Sequence, residues 1–362
     1  MSWLPPGDDD EREFGEWDEQ DARVRPNPKG NRPRTKTRPE HEDAVVGRVL
    51  SVDRGRYTVL LGEVELAERA PAENSPAGVA SAEDEPGERV VVCTRARELR
   101  DQAIVTGDRV DVVGDTSGAE GSLARIVRIR PRVTLLRRSA DDTDAVERVI
   151  VANADQLMIV IAAANPEPRP RLVDRYLVAA YDAGIDPLLV VTKTDLADPA
   201  EFLAGFAGLD IPVVTSARDS VPVGTLAPLL AGRTTVAVGH SGVGKSTLVN
   251  ALVPGTDRAV GDVNEVTGRG RHTSSSTVSL RVPTGGWIID TPGVRSFGLG
   301  HVDPANVLKA FTDLAEVAQE CPRDCSHREG APDCALDDAV ADGRLDADRV
   351  DSLRRLLDSL AG

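Results

Sequence analysis

The chain has few aromatic residues, few cysteines and no long apolar run. Phe, Trp and Tyr make up 3% of its 362 residues, and there are four cysteines. None of its apolar runs reaches the length of a membrane-spanning helix. Its acidic start also lacks the basic segment and apolar stretch of a secretory signal. We therefore expect a cytoplasmic protein with no membrane partner.

An excess of acidic side chains gives the chain a formal net charge of −16, which argues against a general nucleic-acid binder. The excess is uneven, because residues 8–21 hold nine acids and one base whereas residues 22–38 hold seven bases and no acid. Residues 1–43 are rich in Pro, Gly and charge and lack apolar periodicity, so they are predicted to be disordered. Their basic half fits either an RNA-contacting arm or a solubilising tail.

The length of the chain predicts two or three domains. Residues 44–133 contain five short candidate strands separated by turns, which favours a small barrel of the oligonucleotide-binding (OB) type. Tyr57 is the only aromatic residue in this segment, so base stacking on several rings is not expected. The barrel could contact RNA through arginines, or it could be an adaptor that binds protein or packs on its neighbour. An acidic insertion, residues 67–88, is predicted to be a mobile loop.

Beyond the barrel, residues 150–300 alternate apolar strand patterns with helix patterns, which is typical of an α/β domain with a mostly parallel sheet. We assign this domain to residues 134–300. The pattern then becomes helical. A helix is predicted to begin at Asp303, with an apolar face from Val307 to Ala318. Residues 301–362 are therefore predicted to form a small α-helical domain.

A glycine-rich segment between a predicted strand and a predicted helix has the form of a phosphate-binding loop. Its glycines allow consecutive backbone N–H groups to converge on phosphate oxygens at a helix N-terminus. We expect Lys245 to bridge the β- and γ-phosphates and the Ser246 hydroxyl to bind Mg²⁺. The predicted phosphate-binding residues are Gly239, His240, Ser241, Gly242, Val243, Gly244, Lys245, Ser246 and Thr247.

The segment Thr192-Lys193-Thr194-Asp195 follows a buried-looking strand and is predicted to read guanine. The Asp195 carboxylate can accept two hydrogen bonds from the N1 and N2 donors of guanine, an arrangement that adenine lacks. Lys193 can cover the plane of the base, and the loop at Ser216-Ala217 can offer a backbone amide to the guanine O6. Alone, this segment would be taken for a solvated loop, but its coincidence with other motifs favours a nucleotide site.

The order of these motifs is unusual, because the base-reading segment precedes the phosphate loop. The sequence Asp290-Thr291-Pro292-Gly293 follows that loop and ends a predicted strand. Asp290 can hold Mg²⁺ through water there, and the Gly293 amide can sense the γ-phosphate. This order indicates a circularly permuted GTPase domain.

Residues 269–276, rich in glycine and hydroxyl groups, occupy the place of a first switch. Thr273 is the expected Mg²⁺ ligand there, with the two serines that follow it as alternatives. Val294 stands where many GTPases have a glutamine that orients water, which valine cannot do. His272 is the predicted catalytic substitute, although a surface histidine without a catalytic role fits the sequence equally well.

Three cysteines and a histidine crowd into fourteen residues. Cys321, Cys325, His327 and Cys334 offer three thiolates and one imidazole, a set that tetrahedral Zn²⁺ binds readily. Because no ligand position is left open for water, we expect one structural zinc ion, not a catalytic one. The fourth cysteine, Cys93, is on a predicted barrel strand and is expected to be a core residue.

Together these motifs resemble the RsgA (YjeQ) family of small-ribosomal-subunit-dependent GTPases over roughly residues 44–362. The resemblance rests on GHSGVGKS, GRGRHT, DTPGVR, the upstream TKTD and the cysteine–histidine cluster. It implies an OB-fold barrel, a circularly permuted P-loop GTPase domain and a C-terminal zinc domain. It also implies binding to the small (30S) ribosomal subunit and its 16S rRNA late in maturation, subunit-stimulated hydrolysis of GTP, and a catalytic role for His272.

The chain departs from the family pattern at Thr192, where asparagine is usual. An asparagine amide can tie the base-reading loop to the phosphate loop, and threonine does so less well, so the replacement predicts weaker nucleotide binding. We expect the protein to be a monomer. Three other functions fit part of the sequence: a GTP-gated binding module for another RNA or protein client, a metabolic kinase or ATPase, and a zinc-dependent nucleic-acid-binding protein with vestigial nucleotide binding.

Overall fold

The computed structural model describes residues 41, 43–62, 87–139, 147–255, 277–292, 297 and 299–360. All of these residues belong to one compact unit, His41–Gly362. Nearly all of the predicted N-terminal tail, most of the predicted 67–88 loop and the whole of residues 269–276 lie outside the described residues. None of the described helices combines the length and the apolar content that crossing a bilayer requires.

Five strands form a closed barrel. They are β1 (Val45–Asp53), β2 (Arg56–Leu61), β3 (Arg89–Arg95), β4 (Arg109–Gly114) and β5 (Ala124–Ile129). Antiparallel pairs join β1 to β2, β2 to β3 and β4 to β5. Strand β3 runs parallel to β5, and β1 pairs with β4 to close the barrel. Alternation along the strands places Tyr57, Val59 and Val112 in the barrel core. The predicted barrel is confirmed, and its single tyrosine faces inward.

A two-stranded antiparallel hairpin follows the barrel. Its strands are β6 (Leu135–Ser139) and β7 (Glu147–Ala152). Sequence reasoning missed this hairpin, because apolar runs as short as Leu135-Leu136 and Val149–Val151 do not establish a period. Val151 forms an isolated parallel bridge with Thr106, which connects the hairpin to the loop before β4.

A mostly parallel sheet with intervening helices occupies the middle of the chain. In chain order it contains β8 (Gln156–Ala162), α1 (Pro170–Asp182), β9 (Asp186–Thr192), α2 (Ala200–Ala204), β10 (Val213–Thr215), α3 (Val223–Leu230), β11 (Thr234–Val238), α4 (Lys245–Leu252), β12 (Val278–Arg281) and β13 (Trp287–Asp290). The strand order is β10-β9-β8-β11-β13-β12, and only β12 and β13 pair in antiparallel fashion. Every residue of β8 and β11 is buried, as expected of strands covered on both faces.

Four short helices follow. They are α5 (Pro304–Lys309), α6 (Thr312–Val317), α7 (Ala335–Ala341) and α8 (Ala347–Asp358). The Asp303 carboxylate accepts a hydrogen bond of 2.9 Å from a backbone amide of α5, which confirms the predicted helix start. The apolar face predicted from Val307 to Ala318 is divided between α5 and α6. Phe311 interrupts it, because its backbone angles are not helical and its buried ring packs edge-on against Tyr181 of α1.

The barrel is joined to the parallel sheet by strand pairing and by a buried arginine. Ser51 of β1 pairs with Val278 of β12, so one eleven-stranded sheet runs through both. Arg48 is 3% exposed, donates to the Thr234 hydroxyl at 3.2 Å, and lies 5.5 Å from the centre of the Trp287 ring. Because Thr234 begins β11 and Trp287 begins β13, the barrel holds the starts of two central strands.

Helix α1 joins the sheet to the C-terminal helices. Tyr176 packs edge-on against Phe297, with ring centroids 5.5 Å apart. Arg355 of α8 donates to the buried carboxylate of Asp174 at 3.1 Å. Burial raises the pKa of Asp174, and the Arg355 guanidinium opposes that shift. Side chains of α1, β8, α5 and α8 share one apolar core, so the C-terminal helices are not packed around a core of their own.

Replacement of Gly107 by alanine is expected to disrupt the junction between the barrel and the hairpin. Its φ is +89°, and an added Cβ would lie 2.1 Å from the carbonyl oxygen of Ala152. Gly55 in the β1–β2 turn is the matched control, because its φ is +81° but an added Cβ would meet nothing within 4 Å. Gly55→Ala should cost about 1–2 kcal/mol of unfolding free energy for the left-handed backbone alone. Gly107→Ala should cost about 1–3 kcal/mol more, because backbone atoms must move.

Urea unfolding of the full-length chain, followed by tryptophan fluorescence, measures both losses. Trp287 is buried at the barrel junction and reports on it. Equal losses for the two variants would contradict the close packing of Gly107 against Ala152.

Candidate nucleotide site and metal centre

The predicted nucleotide-binding motifs that fall within the described residues lie at one edge of the parallel sheet. Strand β11 is parallel to both β8 and β13, and β9 is parallel to β8 on its other side. The carboxyl ends of parallel strands meet at the same edge, where α/β proteins bind their ligands. The loops after β9, β11 and β13 are therefore neighbours, although long stretches of chain separate them.

The phosphate loop turns tightly between β11 and α4. Gly242 and Gly244 have φ values of +81° and +91°, a left-handed backbone that favours glycine. Gly239 is close to the sheet, since an added Cβ would lie 2.4 Å from the carbonyl oxygen of Val160. Val243 is 3% exposed and anchors the loop in an apolar core. The loop thereby places its backbone at the N-terminus of α4, a geometry suited to an anion.

The polar side chains of this loop differ in exposure. Lys245 is mostly buried, and its ammonium group donates to the Asp290 carboxylate, which is 2% exposed. Ser246 is half-buried in the first turn of α4, whereas Ser241 and Thr247 are exposed. The His240 ring nitrogen Nδ1 lies 3.1 Å from the Ser241 carbonyl oxygen.

Oxygen donors at this edge fit a magnesium ion. The Ser246 hydroxyl and the Asp290 carboxylate are hard ligands of the kind that Mg²⁺ prefers. Asp290 ends β13, and the adjacent Thr291 hydroxyl donates to the Ala237 carbonyl of β11 at 2.9 Å, which holds the two strand ends together. Gly293 and Thr273, the other predicted residues near the γ-phosphate and the metal, lie outside the described residues, as does His272.

The two loops predicted to read guanine are hydrogen-bonded to each other. The Thr194 amide donates to the Ser216 carbonyl at 3.2 Å, and the Arg218 amide donates to the Asp195 carboxylate at 2.9 Å. Asp195 is exposed, so its second carboxylate oxygen is accessible to a ligand. Ser216 is buried and Ala217 is half-buried beside it. The structure therefore brings together residues that sequence reasoning had grouped only by function.

Thr192 connects the base-reading loop to the phosphate loop. Its hydroxyl oxygen lies 2.5 Å from the Val243 carbonyl oxygen and 3.0 Å from the Ile161 carbonyl oxygen. The tie expected of an asparagine is thus present with threonine. The predicted loss of nucleotide affinity remains a prediction.

One wall of the site was missed by sequence reasoning. The Lys193 ammonium group donates to the backbone carbonyl of Asn165, in the loop after β8. A Cβ on Gly242 would lie 4.0 Å from the ring of Pro166 in the same loop. The place of this Pro-rich loop in the sequence could have revealed it. The loop follows a buried parallel strand, so it must lie at the same edge of the sheet as the other loops of the site.

The four predicted metal ligands form a cluster. One ligand atom from each of Cys321, Cys325, His327 and Cys334 lies within 4.8 Å of the others. The His327 Nδ1 atom is 3.6 Å from the sulfur of Cys321 and 4.0 Å from that of Cys334. Three sulfurs and one imidazole nitrogen, gathered this closely, match the donor set of a tetrahedral zinc site.

Electrostatics in this cluster also favour a cation. Burial, with smaller contributions from the neighbouring Cys334 and Cys325, raises the pKa of the Cys321 thiol to about 11. Burial lowers the pKa of His327, with a contribution from nearby Arg354, which favours the neutral imidazole that binds metals. Arg354 also donates to the His327 carbonyl at 3.2 Å. A divalent cation would offset the charge of thiolates held this close together.

Sequence comparisons give one family and several relatives. The family described as RsgA GTPase matches residues 129–300. A Small ribosomal subunit biogenesis GTPase RsgA of Pseudomonas savastanoi pv. phaseolicola (strain 1448A / Race 6) is 43% identical over 266 residues, which cover 71% of this chain and 75% of that protein. The protein of the same name from Pseudomonas aeruginosa (strain LESB58) is 41% identical over 266 residues, 71% of this chain and 76% of the relative.

Solved structures share the fold. The crystal structure of YjeQ from Thermotoga maritima aligns with a TM-score of 0.62 at 23% identity and covers 88% of this chain and 99% of that one. The crystal structure of YloQ, described as a circularly permuted GTPase, aligns with a TM-score of 0.59 at 23% identity and covers 90% and 97%. These likenesses confirm the permuted fold predicted from the order of the motifs.

Proposed function

Because the chain belongs to the RsgA GTPase family, we propose that it hydrolyses GTP in the late maturation of the small (30S) ribosomal subunit. In this proposal it binds the subunit and its 16S rRNA, and the subunit stimulates hydrolysis. The observation that carries the proposal is the meeting of the phosphate loop, Asp290 and Asp195 at one edge of the sheet. The ribosomal part of the proposal is supported by the names of the relatives, which are small ribosomal subunit biogenesis GTPases.

In the proposed site, each loop holds one part of GTP. The backbone amides of residues 239–247 and the Lys245 ammonium group bind the phosphates. The Asp195 carboxylate accepts from the guanine base, Lys193 covers its plane, and the loop at Ser216 and Ala217 meets its O6. Ser246 and Thr273 would hold Mg²⁺, with Asp290 acting through water, and the ion would offset phosphate charge.

Hydrolysis converts GTP and water to GDP and phosphate. The chain has Val294 at the position from which a glutamine often orients the attacking water. We assign that task to His272, whose ring can accept a hydrogen bond from water. Phe297 is the first described residue after Pro292. Its ring packs against Tyr176, and its backbone carbonyl accepts a hydrogen bond from Arg175 at 3.3 Å. Phe297 is thus anchored to α1, which also contacts the C-terminal helices.

The proposed RNA contact has support in the β6–β7 hairpin. Arg138 and Arg148 are exposed and directly opposite each other in register. Like charges in this arrangement destabilise a strand pair, and a phosphate backbone would offset the repulsion. Residues 124–139 hold six arginines and no acid in a chain of net charge −16. Three of the six, Arg128, Arg130 and Arg132, pair with Asp111 or Asp108 of the barrel, so the hairpin arginines carry the proposed contact. The acidic residues between the two strands lie outside the described residues. Contact through arginine also agrees with the buried position of Tyr57.

We further propose that the chain functions as a cytoplasmic monomer. Its parts are a charged tail (1–43), the barrel (44–133), the GTPase domain (134–300) and a C-terminal domain (301–362) that binds one structural zinc ion. The permuted order supports this division, because it places the barrel before the GTPase domain and the metal cluster after it.

Asp195→Asn should abolish the preference for guanine nucleotides. The amide cannot accept both hydrogen bonds from the base, so GDP affinity should fall by about tenfold to a hundredfold while ADP affinity stays low. Calorimetric titration with both nucleotides measures this. Asp186→Asn is the control, because Asp186 is exposed at the opposite end of β9. Unchanged purine selectivity in Asp195→Asn would refute the proposed base contact.

His272→Ala should lower GTP turnover in the presence of small subunits by about 10²-fold or more, with little loss of GTP affinity. Turnover is measured with and without purified 30S subunits. His301→Ala is the matched control, since His301 lies outside the predicted GTPase domain (134–300) and contacts Asp182 of α1. Wild-type turnover in His272→Ala would remove that residue from the mechanism. A wild-type protein that hydrolyses GTP without any response to 30S subunits would instead favour another RNA or protein client.

The purified chain should contain about one zinc ion per molecule. Cys325→Ser should lower zinc content and thermal stability together, because the ion braces a segment that contributes to the shared core. Cys93→Ala should retain zinc, since Cys93 lies in the barrel core. Elemental analysis and thermal unfolding measure these outcomes, and a fully folded wild-type protein without metal would contradict the assignment.

A further inference from the structure

The hydroxyl of Thr192 is committed to the protein backbone. Both of its neighbours, the carbonyls of Val243 and Ile161, are acceptors, and the hydroxyl has one proton to donate. We propose that Thr192 is a positioning residue for the phosphate loop and that this chain reads guanine without a hydrogen bond from residue 192 to N7. The inference rests on the proposed guanine site.

The contact with Val243 acts on the phosphate side of the site. In a trans peptide the C=O and the following N–H point in opposite directions. When the Val243 carbonyl accepts from Thr192, the Gly244 N–H is therefore directed away from β9, where it can serve as a phosphate donor. Thr192 is 6% exposed and a Cβ on Gly244 would lie 3.6 Å from its hydroxyl, so the two residues pack closely.

The remaining guanine groups are accounted for by other residues. The N1 and N2 donors face the Asp195 carboxylate, which retains acceptor capacity beside its bond from Arg218. The O6 acceptor is assigned to a backbone amide of the loop at Ala217. N7 is an acceptor that needs a donor, and Thr192 has no second proton to give. An asparagine carries two N–H donors and could serve Val243 and N7 together.

This difference predicts that the protein tolerates the loss of N7 from the guanine base. The full-length protein should bind GDP and 7-deaza-GDP, in which C–H replaces N7, with affinities equal within about twofold. Thr192→Ser retains the hydroxyl and should behave like the wild type. Thr192→Asn should bind 7-deaza-GDP about tenfold more weakly than GDP, the effect of one added hydrogen bond. Displacement of a fluorescent guanine nucleotide gives these ratios without hydrolysis.

Thr192→Val tests the phosphate role separately. This substitution removes the hydrogen-bond donor at nearly constant side-chain volume. The affinity for GDP should therefore fall by about tenfold, whereas the affinity for GMP, which lacks the β-phosphate, should fall by less than about threefold. Equal losses for GDP and GMP would place Thr192 on the base and overturn the inference. Wild-type discrimination of about tenfold against 7-deaza-GDP would also overturn it.

Failure of this inference is distinguishable from failure of the proposed function. A wild-type protein that prefers guanine over adenine nucleotides but rejects 7-deaza-GDP would overturn only the role of Thr192. A wild-type protein with no preference between GDP and ADP would overturn the guanine site itself.

Discussion

Parallel pairing of β9, β8, β11 and β13 is the constraint on which the rest of the site depends. It brings four strand ends to one edge, and the loops that leave those ends acquire their chemistry from that position. The motifs are written in permuted order along the chain, yet the edge they share does not depend on where the chain starts. Hydrogen bonds between the loops then fix the details, with Thr192 on the phosphate loop and Arg218 on Asp195.

The barrel and the C-terminal helices are extensions of the GTPase sheet and core. The barrel continues the sheet through β12, and Arg48 holds the starts of β11 and β13. The C-terminal helices share an apolar core with α1. Each neighbour thus contacts an element that leads to the nucleotide site: β13 ends at Asp290, and α1 packs on Phe297.

Motifs with fixed spacing were predictable from sequence, whereas contacts that depend on tertiary packing were not. The turn glycines and strand–helix context predicted the phosphate loop, and the spacing of the cysteines predicted the cysteine–histidine cluster. The loop at Asn165 was missed, because its contribution is a backbone carbonyl, which leaves no mark on residue type. The division of α5 from α6 at Phe311 was also missed, since packing against Tyr181 overrides helical periodicity there.

The link between Thr192 and Val243 joins a side chain to a main-chain carbonyl, and this asymmetry affects how the two positions can change during evolution. Any residue that keeps the backbone path can occupy position 243 without affecting the link, provided it fills the apolar space beneath the loop. Position 192 has no such freedom, because only a short hydroxyl or amide donor can reach the carbonyl. Among descendants of this chain, far fewer residue types should therefore occur at position 192, at the strand end, than at position 243, in the loop that it supports.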